Sequence, residues 1–151
     1  IRSLVCQARG DRPPAVWLDT RHTAVAVRES DGSVAPLAAL AGRRVAAFCG
    51  IGNPAAFRHT LTDIGADVVG FRSFADHHHY TPADVHSLAA WAGSTGAEQA
   101  ITTLKDLVRL GTPRLQRLPL AAVEIVVEPL GDPAALCQLL ATATHRGGQP
   151  V

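Results

Sequence analysis

Three residue types occur once each in this chain, and each falls in a short motif that could do chemistry. The single asparagine, Asn53, lies in Gly50-Ile51-Gly52-Asn53-Pro54. The single tyrosine, Tyr80, closes Asp76-His77-His78-His79-Tyr80, and the single lysine, Lys105, lies in Thr102-Thr103-Leu104-Lys105-Asp106. A histidine beside a carboxylate can take a proton from a hydroxyl near neutral pH, and the carboxylate can fix the tautomer of the ring. Asp76-His77 is therefore the sharpest candidate for proton handling. Adjacent histidines cannot all face one point, so at most two of His77, His78 and His79 serve one site. The same run also reads as a polar surface loop. A zinc site is a further reading, with His77 and His79 joined by His22 or a cysteine, although the spacing matches no familiar zinc pattern.

Gly50 and Gly52 permit close backbone approach or positive φ, and a helix N-terminus behind them offers N–H groups to an anion. Gly50-x-Gly52-x-x-Ala55 loosely matches the dinucleotide fingerprint. Pro54 removes one N–H donor, however, and no acid ends the following strand. A tight strand-to-helix turn without a ligand explains the motif as well. No GxxxxGK[ST] pattern occurs, so these residues hold no P-loop. Thr103-Leu104-Lys105-Asp106 reads first as a helix start with Thr103 as its cap. A lone lysine beside thirteen arginines adds a hint that Arg would not substitute for it.

These motifs need elements to hold them. Residues 45–49 form a short apolar run ending in Gly50, the pattern of a buried strand. A helix over 54–64 follows, with Asn53 as N-cap, Pro54 at the first helical position and Gly65 at its end. A strand is expected over 67–71, and a helix from Thr81 with Pro82 first and Asp84 third, burying Val85, Leu88, Ala89 and Ala92. A strand over 99–102, a helix over 105–110 closed by Gly111, and a strand over 123–127 come next. Asp132 caps a last helix with Leu136, Leu139, Leu140 and Ala143 on one face. This alternation predicts an α/β fold: three layers around a mostly parallel, Rossmann-like sheet. Each motif then follows a strand, so all three should gather at one edge of the sheet, where open α/β folds place their sites.

Residues 1–42 differ, with short strands expected at 4–8, 16–18 and 23–28 and a hairpin turn at Asp31-Gly32. We read them as a β-ribbon and linker whose strand partners lie outside these residues. Residues 43–145 are then the α/β domain and 146–151 a flexible tail. Of 151 residues none is methionine, and Ile1 does not suit initiator removal, so the sequence reads as part of a longer protein. A 47% hydrophobic and 18% charged composition excludes disorder as the dominant state. No apolar run reaches the roughly 18 residues of a spanning helix. Fourteen basic and thirteen acidic residues leave +1, which gives no field for nucleic acid, although residues 1–44 hold seven Arg against four acids. Cys6, Cys49 and Cys137, an odd number in apolar segments, read as buried free thiols.

Taken in order, Gly42-Arg43-Arg44-Val45-Ala46-Ala47-Phe48-Cys49-Gly50-Ile51-Gly52-Asn53-Pro54, then Phe57 and Leu61, then Phe74-Ala75-Asp76-His77-His78, then Thr103-Leu104-Lys105-Asp106-Leu107-Val108 resemble the C-terminal half of the tetraacyldisaccharide 4′-kinase family. The resemblance runs from about residue 12 to residue 130. It implies transfer of the γ-phosphate of ATP, with Mg²⁺, to the 4′-hydroxyl of a tetraacylated disaccharide 1-phosphate in lipid A biosynthesis. It also implies work at the cytoplasmic face of the inner membrane of Gram-negative bacteria. The family's N-terminal half carries the P-loop and the Mg²⁺-binding acids, and a two-stranded linker leads from it into a smaller α/β domain.

Carried over, His77 is the general base or its partner, facing an aspartate of the N-terminal half, and Asp76 orients it. Gly50, Gly52 and Asn53 shape the cleft, and Lys105 and Asp106 are contacts there. Leu104 stands where the family has Glu, which removes any role that needs the acid. On this reading the present residues hold no metal and are inactive alone. The competing expectation is a stand-alone α/β module that binds a nucleotide or sugar phosphate at Gly50–Pro54.

Overall fold

The computed structural model describes residues 17–146. Its elements run β1 (Thr20–Glu29), β2 (Val34–Ala35), a 3-10 turn (Leu37–Leu40), β3 (Arg44–Cys49), α1 (Pro54–Asp63), β4 (Asp67–Ser73) and α2 (Pro82–Ser94). They continue with β5 (Gln99–Thr103), α3 (Leu104–Leu110), β6 (Arg114–Leu115), β7 (Leu118–Pro129) and α4 (Ala134–Arg146). The strands form one sheet in the order β2-β1-β7-β5-β3-β4, with β6 paired to β7. β4, β3, β5 and β7 run parallel, whereas β1–β2 and β6–β7 are antiparallel pairs. The expected α/β fold with a mostly parallel sheet is the one observed.

Two compact units divide the chain. One is Thr23–Val126, which contains all three motifs; the other includes the described residues on either side, 17–22 and 127–146. Within the first unit, alternate residues of the parallel strands face opposite ways, as the period of two requires. Val45, Ala47 and Cys49 of β3 join Ile101, Ala121 and Val123 under Phe57 and Leu61 of α1. Phe48, Ala100 and Leu120 meet Leu88 and Ala89 of α2 on the other face. The sheet is thus covered on both faces, the condition for parallel strands.

Local chemistry sets the helix ends. The Asn53 side chain accepts from the N–H of Ala56 at 3.1 Å, with Pro54 at the first turn. Thr81 and Asp84 form a reciprocal capping box at the start of α2. Thr103 caps α3, and Gly111 closes it with φ +59°. In the second unit, Asp132 accepts from the N–H of Ala134 at 2.9 Å, beside the first residue of α4.

Four expectations need correction. β7 spans twelve residues rather than five, because Leu120–Val123 pair with β5 in the buried centre of the sheet and need no β-branched side chains there. β1 finds its neighbours within the chain, pairing with β2 through a turn at Asp31-Gly32 and standing beside β7. Cys137 is exposed, whereas Cys49 is buried. Residues 17 and 18 form no strand. The expectations for 4–8, Val16, Cys6 and the tail beyond 146 fall outside the described residues.

Candidate functional site at the carboxyl edge of the sheet

β5, β3 and β4 are neighbours in that order, so the segments leaving their carboxyl ends share one edge. The three motifs meet there as the alternation predicts. Lys105 Nζ lies 3.2 Å from Asp76 Oδ1 and donates to it. Gly50 N–H donates to Asp106 Oδ2 at 2.9 Å, and His77 N–H donates to Gly50 O at 3.3 Å. A Cβ on Gly52 would stand 3.5 Å from Asp76 Oδ2, an ordinary contact distance, so the turn passes beside the carboxylate.

His77 adopts φ +61°, in the left-handed region, which costs roughly 1–2 kcal/mol for an L-residue. Its N–H is shared between Gly50 O and Asp76 Oδ1, the latter at 2.9 Å, and this holds the backbone in place. The ring is 70% exposed. An Arg109 guanidinium nitrogen lies 3.3 Å from its Nδ1. A guanidinium can only donate, so this contact assigns the ring proton to Nε2 and leaves Nδ1 as the acceptor. Nε2 in turn faces Asp76 Oδ2 at 3.8 Å, too long for a hydrogen bond. Arg109 escaped the sequence reading. Its signal was its place four residues after Lys105, on the same face of α3.

The hydrogen bond from Lys105 holds the Asp76 carboxyl below its ordinary value of about 3.8, with the charges of His77 and Lys105 adding to the effect. A carboxylate depressed in the folded state keeps its ion pair at all pH above the unfolded value and loses it as pH falls through the lower folded one. Followed by carboxyl-carbon NMR, Asp76 should titrate below 3.8, and Lys105→Met should move the midpoint upward. An unmoved midpoint would show that Lys105 is not its partner.

Asp106 was expected as a cleft contact, but it is fully buried beneath Gly50. Its Oδ2 accepts from Gly50 N–H and, at 2.7 Å, from the Thr103 hydroxyl. Oδ1 and the buried Tyr80 hydroxyl each lie 3.3 Å from where a Cβ on Gly50 would stand, so carboxylate and phenol meet on the open side of that glycine. Burial, then the charge of Asp106, pushes the Tyr80 phenol up and the Cys49 thiol to about 11.

The other two histidines serve elsewhere. His78 stacks on Phe74 at 4.7 Å and sets Nε2 3.2 Å from Asp84 Oδ2, within the capping box of α2. His79 is exposed. Among the described residues no three His, Cys, Asp or Glu side chains gather as a metal site requires, so the zinc arrangement is not formed there. Asn53 spends its side chain on Ala56 N–H, which together with Pro54 leaves fewer donors for an anion at that turn. Leu104 opens α3 and lines a groove of about 540 Å³ with Leu107, Val108, Pro113, Arg28 and Glu29. Its side chain thus belongs to an apolar wall.

The tetraacyldisaccharide-1-P 4′-kinase (LpxK) family model matches residues 5–145. A tetraacyldisaccharide 4′-kinase of Anaeromyxobacter sp. (strain Fw109-5) is 40% identical over 150 residues, which cover 97% of this chain and 38% of that protein. One from Rhodopseudomonas palustris is 47% identical over 103 residues, 68% of this chain and 30% of that protein. The crystal structure of LpxK from Aquifex aeolicus in complex with ATP superposes with a TM-score of 0.54 at 25% identity. The match covers 85% of this chain and 38% of that one. The chain therefore spans about 30–38% of the length of these relatives. Sequence, fold and the gathering of the three motifs agree: this chain belongs to the tetraacyldisaccharide-1-phosphate 4′-kinase family.

Proposed function

We propose that the chain is the C-terminal domain of a kinase that moves the γ-phosphate of ATP to the 4′-hydroxyl of a tetraacyldisaccharide 1-phosphate, and that His77 receives the hydroxyl proton. Residues 1–42 carry the connection to a phosphate-binding half, and 43–145 form the domain that brings His77 to it. The observation that carries this reading is His77 held at the sheet edge, with Arg109 against Nδ1 and a carboxylate near the opposite ring nitrogen. Phosphoryl transfer asks a protein mainly to position groups and place charge, and one residue to orient the nucleophile.

The chain's own residues fit that part. The 4′-hydroxyl proton passes to Nδ1, and the nearby negative charge of Asp76 favours the imidazolium that forms. Arg109, which caps Nδ1, must move aside for the hydroxyl to approach. Lys105 keeps Asp76 charged and in place. Gly50, Gly52 and Asn53 shape the wall of the cleft. ATP supplies the phosphoryl group. In this reading the phosphates of ATP and its Mg²⁺ are held by other residues of the longer parent.

Among the described residues no helix is long and apolar enough to cross a membrane. In our reading the parent meets the cytoplasmic face of the inner membrane through its other half, and this chain alone does not catalyse. The test is an assay of the full-length parent with γ-labelled ATP and the disaccharide 1-phosphate, locating the label by fragmentation of the product. Label at the 4′ position is expected; ATP hydrolysis with no labelled lipid would overturn the reading.

A further inference from the structure

We propose that Asp106 is the positioning residue of this site, acting on His77 through the backbone of Gly50. The inference rests on the reading of His77 as the base. Gly50 separates β3 from the cleft turn, and glycine has more backbone freedom than any other residue. Here both of its polar groups are committed. Its N–H donates to Asp106 Oδ2 at 2.9 Å, and its carbonyl accepts His77 N–H at 3.3 Å. Fixing the peptide on each side of Gly50 fixes φ and ψ of the residue between, and so the point from which His77 hangs.

Asp106 is itself held rigidly. The Thr103 hydroxyl donates to its Oδ2 at 2.7 Å, and its own N–H donates to Thr103 Oγ1 at 3.2 Å, at the first turn of α3. The remaining oxygen faces the open side of Gly50 together with the Tyr80 hydroxyl, each 3.3 Å from the missing Cβ. Tyr80 is the far end of the loop that carries His77, and its ring is set against Phe48, Phe74 and His78. The loop is thus tied to Gly50 at His77 and packed against the core at Tyr80. A fully buried carboxylate is a costly feature for a fold to keep, and it calls for a reason beyond packing. Holding the one left-handed histidine of the cleft is such a reason.

The experiment measures steady-state kinetics of the full-length kinase carrying Asp106→Ala or Asp106→Asn, each alone and combined with His77→Ala. Asp106→Ala should lower kcat about 10- to 100-fold, with KM for both substrates within about threefold, since small misplacements of a reacting group are costly. Asp106→Asn should stay within about threefold of the parent, because the amide oxygen can still accept Gly50 N–H. In the His77→Ala background, Asp106→Ala should have no further effect, the non-additivity expected of residues that act as a unit. Equal fold losses in both backgrounds, or no loss in either, would overturn the proposal. If Asp106→Ala does not fold, Gly50→Ala substitutes for it: the carboxylate remains while a methyl enters the gap beside Oδ1 and Tyr80. The same loss, absent in the His77→Ala background, is expected. Near-parental turnover of His77→Ala itself would overturn the base reading, and the positioning proposal with it. A normal His77 effect with additive Asp106 effects sinks the positioning proposal alone.

Discussion

His77→Ala in the full-length kinase should lower kcat by about 10²- to 10⁴-fold while leaving KM for ATP near its parental value. Removing a proton acceptor affects the transition state, where the hydroxyl proton is in flight, and leaves ground-state binding largely alone. Backbone strain is the confounding effect. His77 sits at φ +61°, and alanine tolerates that region less well than histidine. His77→Asn separates the two contributions, because asparagine adopts the left-handed region readily but cannot serve as a base. Both variants should therefore lose activity to a similar extent, with the asparagine protein the more stable. An asparagine variant that keeps more than about a tenth of parental kcat would remove His77 from the chemistry and leave it a loop residue.

Phe48→Ala should cost about 3–5 kcal/mol in unfolding free energy, measured by urea denaturation of the chain. Domains hold only about 5–15 kcal/mol in total, so the variant should be partly unfolded on modest warming. Phe48 is completely buried on the face of β3 that meets α2, among Leu88, Ala89, Leu115 and Leu120. Its ring also meets Tyr80 nearly edge-on, at 6.1 Å and 79°. The void would therefore open beside the far anchor of the His77 loop. Val108→Ala, on an exposed face of α3, is the control and should change stability by less than about 0.5 kcal/mol. A loss under about 1 kcal/mol at Phe48 would mean that neighbouring side chains close the gap, contrary to the packing described.

Helix ends were the most legible part of the fold because they depend on neighbours in sequence. Thr81, Pro82 and Asp84 specify the start of α2 within four residues, and Thr103 with Gly111 brackets α3 in the same way. Sheet membership was harder to read. Leu118–Ala122 lack the β-branched signature, and they are in a strand because β5 runs alongside and burial on both faces rewards any apolar residue there. Gly70 shows the same limit. A glycine within a strand is visible in the sequence, but its cause is spatial: a Cβ there would stand 2.8 Å from Thr95 and 3.0 Å from Trp91 of the neighbouring α2 segment.

At the candidate site, residue chemistry alone singled out Asp76 and His77, Lys105 was named by the family resemblance, and the strand-helix alternation placed their motifs at one edge. Those inferences are local: each needs only a side chain's intrinsic chemistry and the period of a few residues around it. The tertiary structure decided the roles. Identical histidines in sequence became one exposed ring at the sheet edge, one packed against Phe74 and one at the surface. Arg109 entered because a turn of α3 carries it to the His77 ring, 32 residues away in the chain. Asp106 left the list of surface contacts because its helix starts directly at the end of β5, which turns the carboxylate inward under Gly50. The sequence by itself thus determined which groups can move a proton or hold a charge. Which of them face the cleft, and which hold the others in place, depends on contacts between distant segments that exist only once the sheet is assembled.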